Sequence, residues 1–336
     1  MDSPSYPFKP IYSINALARA LDEPVDLLLQ LAQDADDLYR HVPQKKKNGS
    51  PRDTYDAFEP LKRVQRKIVD RLLSRVRFPY YVHGGIRDRE NPRSIITNAA
   101  QHTGARFLVL MDIEDFYPSI SQTLAKQVFS RCLKFSSEVS VLLASLCCRQ
   151  GAVPQGASTS GYVANLAFWD VEPALAEWLG GKGLSYSRFA DDITISSAFT
   201  LSFADRSAVI SRITSLLAAK GFRQKRSKLH LRKKGQSVLS KGGAGALTVT
   251  GLTVHGSTPN VTKKERREIR AAVYEFEKLV EVGVSIREIQ GKFDRAMGRV
   301  GRLIGTKHPD GVRLRERLRA AKKLAEKFPP NAFQAE

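Results

Sequence analysis

The sequence predicts an α+β fold, and three observations lead there. Apolar residues recur at helical spacing near both ends of the 336-residue chain. A continuous apolar run, Arg106-Phe107-Leu108-Val109-Leu110-Met111, ends in Asp112 as a buried strand would. Two strand-like runs rich in Tyr, Phe, Ile and Thr flank the pair Asp191-Asp192. No Gly or Asn marks a conventional two-residue turn there, which puts the carboxylates in the bend. By itself the pair reads as an acidic turn facing water, since Asp is a common turn residue. Two adjacent anions nevertheless repel each other, and a bound divalent cation would reverse the sign of that interaction.

Composition narrows the partners. Hydrophobic content of 42% and charged content of 26% are those of a globular chain, but the net charge is +20. With an isoelectric point of about 10.0, the excess points to a polyanion, either nucleic acid or an anionic membrane surface. The longest apolar run, Val139 to Cys148, is too short to span a bilayer. The residues after Met1 lack the basic and apolar regions of a signal peptide. Nucleic acid, a cytoplasmic location and no membrane partner are therefore expected. Cys132, Cys147 and Cys148 show no zinc-ligand spacing and read as buried reduced thiols.

In chain order, residues 11–40 carry two helical patterns broken at Asp22-Glu23-Pro24, a small helical cap. The stretch 42–52 places Lys45, Lys46, Lys47 and Arg52 around Asn48-Gly49, a hairpin signal. Such a hairpin can grip a triphosphate, with Lys as a point charge and Arg as a fork, although read alone a run of charges is more often a solvated loop. Residues 58–76 form an amphipathic helix. His83-Gly84-Gly85 suggests a turn or a close backbone approach, and His102, taken alone, a satisfied structural histidine.

Asp112 at the end of a buried strand is costly to place without a partner. Converging with Asp191 and Asp192, it would make a cation obligatory. A helix follows from about Gln122 to Leu133, then another over Glu138 to Leu146. Gly156 and the small hydroxyl residues after Pro154-Gln155 allow a base or sugar to approach a helix start. Ser158 or Ser160 would serve equally as its N-cap, and the helix runs on towards Trp178. Phe203 to Lys220 is helical, and Gly221 to Lys241 carries eight basic residues and no acidic one. Leu247 to Val254 alternates as a strand. Three helices close the chain, over about 263–280, 285–303 and 311–327, with Arg266, Arg270, Arg299, Arg302, Arg313 and Arg317 on polar faces suited to a phosphate backbone.

In order, these blocks resemble those of reverse transcriptases. Asp112-Ile113-Glu114-Asp115-Phe116-Tyr117 looks like the first catalytic motif, and Pro154-Gln155-Gly156-Ala157 with Thr159-Ser160 like the second. Phe189-Ala190-Asp191-Asp192 is similar to the aromatic-Ala-Asp-Asp box. Gly221-Phe222 with Lys228, then Val249-Thr250-Gly251-Leu252, resemble the last two blocks. Asn98-Ala99-Ala100-Gln101-His102 and Val249-Thr250-Gly251 resemble the retron Asn-Ala-x-x-His and Val-Thr-Gly blocks, so the chain looks most like a bacterial retron reverse transcriptase. Phe189 stands where Tyr is commoner, and Ser158 and Gly161 where many relatives have Pro.

The resemblance implies a right-hand polymerase fold. Residues 1–40 would be an N-terminal helical cap, 41–105 the fingers, 106–256 the palm (an antiparallel sheet packed on helices, with a fingers segment at about 121–153), and 257–336 a helical thumb and tail. It implies that Asp112, Asp191 and Asp192, with Ile113, hold two Mg²⁺ ions. Tyr117 would be the steric gate against a ribose 2′-OH, with Ile113, Phe116, Gln155 and Gly156 lining the incoming dNTP. Lys47 and Arg52 would hold its triphosphate, and Lys228 would lie near the leaving pyrophosphate. Asn98, His102, Val249, Thr250 and Gly251 would be the retron-specific set. The implied partners are dNTPs, a cognate structured noncoding RNA copied into a branched RNA–DNA product (msDNA), and an effector protein in anti-phage defence. Two other readings stand beside this one: an intron-type or other defence-associated reverse transcriptase, and a catalytically silent RNA-binding scaffold.

Overall fold

A computed structural model of the chain describes residues 2–45, 49–88, 90–237 and 246–329. Its first helices are α1 (Ile14–Leu21) and α2 (Val25–Gln33), separated as the Asp22-Glu23-Pro24 break predicts. Ser13 caps α1 by accepting from the Ala16 N–H at 3.2 Å, and Asp22 ends it at a φ of 54°. Four short strands follow: β1 (Tyr39–His41), β2 (Gln44–Lys45), β3 (Pro51–Arg52) and β4 (Tyr55–Ala57). β1 pairs with β4 and β2 with β3, both antiparallel. Lys45 stands opposite Pro51, so the hairpin is present but its connection has an odd length. Lys46, Lys47 and Asn48 lie outside the described residues.

The helix expected over 58–76 is shorter. Pro60 precedes the first turn of α3 (Leu61–Arg71), and Leu72 breaks it before a single 3₁₀ turn. β5 (Val82–His83) and α4 (Ile95–Ala100) lead into the central strand β6 (Phe107–Asp112). α5 (Gln122–Gln127) passes into a π-helical turn through Cys132, and α6 (Ser137–Cys147) follows. The single helix expected to run towards Trp178 is two, α7 (Ser160–Leu166) and α8 (Glu172–Gly181). Neither serine caps α7 in the usual way: Thr159 occupies the cap position, and Ser160 Oγ donates instead to the Pro154 carbonyl at 2.5 Å. Beyond β7 (Ser185–Phe189), β8 (Asp192–Ser197) and α9 (Phe203–Ala219) come β9 (His230–Lys233) and β10 (Gln236–Ser237).

One six-stranded sheet, in the order β10-β9-β6-β8-β7-β5, carries the middle of the chain. Its pairs are antiparallel except β5 with β7. β6 is apolar along its length because it lies between two cores. Phe107, Val109 and Met111 point into a core built with α1–α3 and α5–α9, and Leu108 points into the other. That second core is formed with α10 (Lys263–Glu281), α11 (Ile286–Gly305) and α12 (Asp310–Ala325), whose buried residues recur at helical spacing. The three cysteines are free and buried in the first core, as expected.

Between sheet and bundle the expected strand 247–254 is instead a tight hairpin. β11 (Thr248–Val249) turns through Thr250 and Gly251, at φ of 46° and 81°, into β12 (Leu252–Thr253), which pairs with β13 (Asn260–Val261). Two consecutive positive φ values make this a type I′ turn. A β-branched Thr in the left-handed region is uncommon. Here its Oγ1 donates to the Ile95 carbonyl at 2.8 Å, tying the turn to α4.

His102 follows α4 and is wholly buried. Its ring nitrogens lie 2.8 Å from Ser196 Oγ on β8 and 2.7 Å from Ser187 Oγ on β7. Burial, reinforced by the neighbouring His83, depresses its pKa to about 3, and burial depresses that of His83 to about 4. A histidine depressed in the folded state stabilises above its unfolded pKa and is lost as pH falls. Between pH 7 and pH 5 the buried neutral His102 should cost about 2 kcal/mol of stability. Urea unfolding of His102→Gln should therefore show a pH dependence smaller by that amount. An identical dependence in the two proteins would remove His102 from the account.

Candidate active site

The register of β6 against β8 sets Asp112 directly opposite Asp192. The chain leaves β7 at Phe189 and bends through Ala190 and Asp191, so one carboxylate lies in the bend and the other opens β8. The Ile113 N–H donates to the Asp191 carbonyl at 3.0 Å, closing the ends of the two strands on each other. The basic segment after α9 seals the opposite side. Lys225 N–H donates to the Asp112 carbonyl at 2.8 Å, and Glu114 N–H to that of Arg223 at 2.9 Å. The structure thus brings Asp112, Asp191, Asp192 and Lys228 together, and Lys228 Nζ makes a salt bridge with Asp112 Oδ2.

Burial and then crowding of charge shift the pKa values of Asp191, Asp192 and Lys228. Burial raises the Asp191 pKa, and the Asp112 charge adds to it, against smaller lowering by Lys228 and Arg52. Burial and then the charges of Asp191 and Asp112 push Asp192 up to about 6. Burial alone would depress Lys228, but the hydrogen bond and charge of Asp112, with the other two aspartates, hold its ammonium above the ordinary value.

Beside the carboxylates lies a pocket of about 460 Å³ whose walls include Arg40, Thr54, Tyr55, Tyr117, Gln155 and Gly156. The Tyr55 N–H donates to the Gln155 carbonyl at 2.8 Å. Gly156 has a φ of 113°, and a Cβ there would stand 2.8 Å from the Tyr55 carbonyl oxygen, so glycine is required on both counts. Tyr117 lines this pocket, and burial and then the Asp191 charge raise its phenol pKa. The Arg52 charge reaches both Asp191 and Tyr117. Lys47 and Lys241 lie outside the described residues.

Two expected pocket residues are placed differently. Phe116 is buried under the pocket, parallel to the Phe168 ring at 6.0 Å and against Phe222 at 5.7 Å, because it points into the first core beside Tyr117. Ile113 is also buried, and its hydrocarbon side chain offers no donor, so only its backbone carbonyl could serve a metal. Asn98, His102 and Val249 are buried, with Thr250 and Gly251 at the hairpin tip. They join α4, the sheet and the helical bundle and do not meet the carboxylates.

Sequence reasoning gave no role to Arg188, which is 1% exposed and bonded to Glu172, Asn165 and the Ala190 carbonyl behind the aspartates. The available signal was its position. It shares a face of β7 with Tyr186, whose OH also donates to Glu172, so a charged side chain sits where strand alternation points inward.

Among the described residues, no three acidic, histidine or cysteine side chains stand in a ready-made metal cage. The donors nonetheless fit a hard cation. They are carboxylate oxygens and one backbone carbonyl, and the pKa values of Asp191 and Asp192 are raised by burial first and then by mutual repulsion, which a cation would relieve. Mg²⁺ commonly takes one or two protein carboxylates and completes its shell with water and substrate phosphate.

No helix among the described residues is long and apolar enough to cross a membrane. The family model described as reverse transcriptase (RNA-dependent DNA polymerase) matches residues 44–240. The retron Se72 reverse transcriptase of Salmonella heidelberg (strain 579083-10) is 32% identical over 316 residues, covering 94% of this chain and 81% of that protein. The retron Ec48 and Ec86 reverse transcriptases of Escherichia coli are each 28% identical, over 95% and 78% of this chain and 78% and 77% of their own lengths. The chain belongs to the reverse transcriptase family, among the bacterial retron reverse transcriptases, and is an RNA-directed DNA polymerase of that kind.

Proposed function

We propose that the chain copies a cognate structured noncoding RNA into DNA at the Asp112–Asp191–Asp192 site, using two Mg²⁺ ions. The observation that carries this reading is the convergence of three carboxylates from two paired strand ends beside a pocket walled by Tyr117, Gln155 and Gly156. Asp112, Asp191, Asp192 and the Ile113 carbonyl would hold the ions. When bound there, the ions supply activation of the primer hydroxyl and stabilisation of the departing pyrophosphate. Lys228, raised in pKa and therefore charged, lies where it can neutralise phosphate charge. Tyr117 closes the pocket on its sugar side, and Arg52 with Lys47 would take the triphosphate. Most of the rate then comes from positioning and fixed charge.

In this reading residues 1–40 cap the molecule, 41–105 form fingers, 106–256 the palm, with a fingers segment at about 121–153, and 257–336 the thumb. The bundle α10–α12 would grip the duplex through phosphate contacts from its basic residues. Synthesis of a branched msDNA, an effector partner and a place in anti-phage defence follow from kinship alone. The test is extension of a primer on an RNA template by purified protein in dNTPs with and without Mg²⁺. Metal-dependent DNA synthesis is the expected result, and a folded, RNA-binding protein that incorporates nothing would favour the silent scaffold.

A further inference from the structure

Arg188 is a buried cation with every donor used. Its Nε and Nη2 reach the two Glu172 oxygens at 2.6 and 2.8 Å. Nη2 also reaches the Asn165 carbonyl at 3.0 Å, while Nη1 takes Asn165 Oδ1 at 3.0 Å and the Ala190 carbonyl at 3.1 Å. That accounts for all five N–H groups of a guanidinium. The Phe168 and Phe116 rings flank it at 5.2 and 5.9 Å. Asn165 in turn donates to the Gly84 and Gly161 carbonyls at 2.5 and 2.9 Å.

The residue held at the end of this network is unusual. Ala190 has a φ of 54°, in the left-handed region that alanine rarely adopts, and Asp191 and Asp192 follow it directly. Both polar groups of Ala190 are fixed: its N–H donates to the His83 carbonyl at 2.9 Å, and its carbonyl accepts from Arg188. A buried ion pair can often be replaced by apolar residues of similar size without loss of stability. What apolar residues cannot reproduce is the five-way fork. It ties the aspartate turn to α8 through Glu172 and to α7, which follows Gln155-Gly156, through Asn165. It also sits on Phe116, the residue before Tyr117.

We propose that Arg188 is a positioning residue for nucleotidyl transfer, holding Asp191 and Asp192 in fixed register with the nucleotide pocket. The proposal rests on the reading that these aspartates hold the metal. The test is the paired substitution Arg188→Met with Glu172→Met, compared with Tyr186→Phe, which removes only a hydrogen bond to Glu172. The paired variant should keep its melting temperature and RNA affinity and lose about 100-fold in kcat, with KM for dNTP changed by less than about threefold. Mn²⁺ binding followed by electron paramagnetic resonance should weaken about tenfold, a loss independent of turnover. Tyr186→Phe should keep wild-type kcat.

Should the paired variant fail to fold, Arg188→Lys carries the test, because a point charge keeps the charge but not the fork. Reduced kcat with unchanged RNA affinity supports the proposal. Wild-type kcat and Mn²⁺ affinity in the variant overturn it. Asp191→Asn run alongside separates the two failures. If Asp191→Asn still synthesises DNA, the metal reading fails; if it is inactive while the Arg188 variant is fully active, only the positioning role fails.

Discussion

Replacing Asp191 or Asp192 by Asn should lower Mg²⁺-dependent dNTP incorporation by about 10³-fold or more while leaving RNA affinity unchanged. Asparagine keeps the size of the side chain and removes one anionic oxygen donor from the site. Several kcal/mol of transition-state stabilisation then goes with the metal, and each 1.36 kcal/mol is about tenfold in rate. On the proposed reading RNA affinity should hold, because it would come from basic residues spread over the surface. A stability measurement separates this outcome from misfolding. Asp192 is held up to about 6 by burial and by its two neighbouring aspartates, so removing one negative charge relieves repulsion. The metal-free variants should therefore melt no lower than wild type. A variant that melts lower, or one that polymerises normally, would contradict the assignment of these carboxylates.

Tyr117→Ala should admit ribonucleotides, with discrimination against the 2′-OH falling by about 10²-fold. Tyr117 rests against Phe116 at 5.6 Å, and Phe116 is locked beneath it by Phe168 and Phe222. A gate at Tyr117, as proposed, would be backed by this aromatic stack against an added hydroxyl. Truncation to Ala removes the ring but leaves the stack, so incorporation of dNTPs should change far less than that of ribonucleotides. The check is the ratio of kcat/KM for a dNTP and its ribonucleotide in each protein. An unchanged ratio would take the gate away from Tyr117.

The legible parts of the fold were those where one physical demand dominates a stretch. β6 is apolar on both faces because two cores meet on it, and α10–α12 show helical periodicity because each buries one stripe. Asp112 and Asp191-Asp192 could be paired in advance because a charge at the end of such a strand needs company. The hidden parts depend on tertiary contacts. The alternation of Thr, Val and Leu changes phase at Gly251, which was the local signal for a turn; what the sequence does not show is that the Ile95 carbonyl and α4 help to hold it. Phe116 and Tyr117 are adjacent aromatics, and only packing reveals that one enters the core and the other the pocket. Arg188 drew no role from the sequence because its carboxylate partner, Glu172, lies 16 positions away on another element.

The most direct measurement is sequencing of the nucleic acid that co-purifies with the wild-type protein and with Asp191→Asn, both expressed with their native flanking locus. The account predicts a short DNA joined through a 2′–5′ linkage to an RNA in the wild type, and the same RNA without DNA in the variant. Equal DNA in both preparations, or no DNA joined to RNA in the wild type, would contradict it.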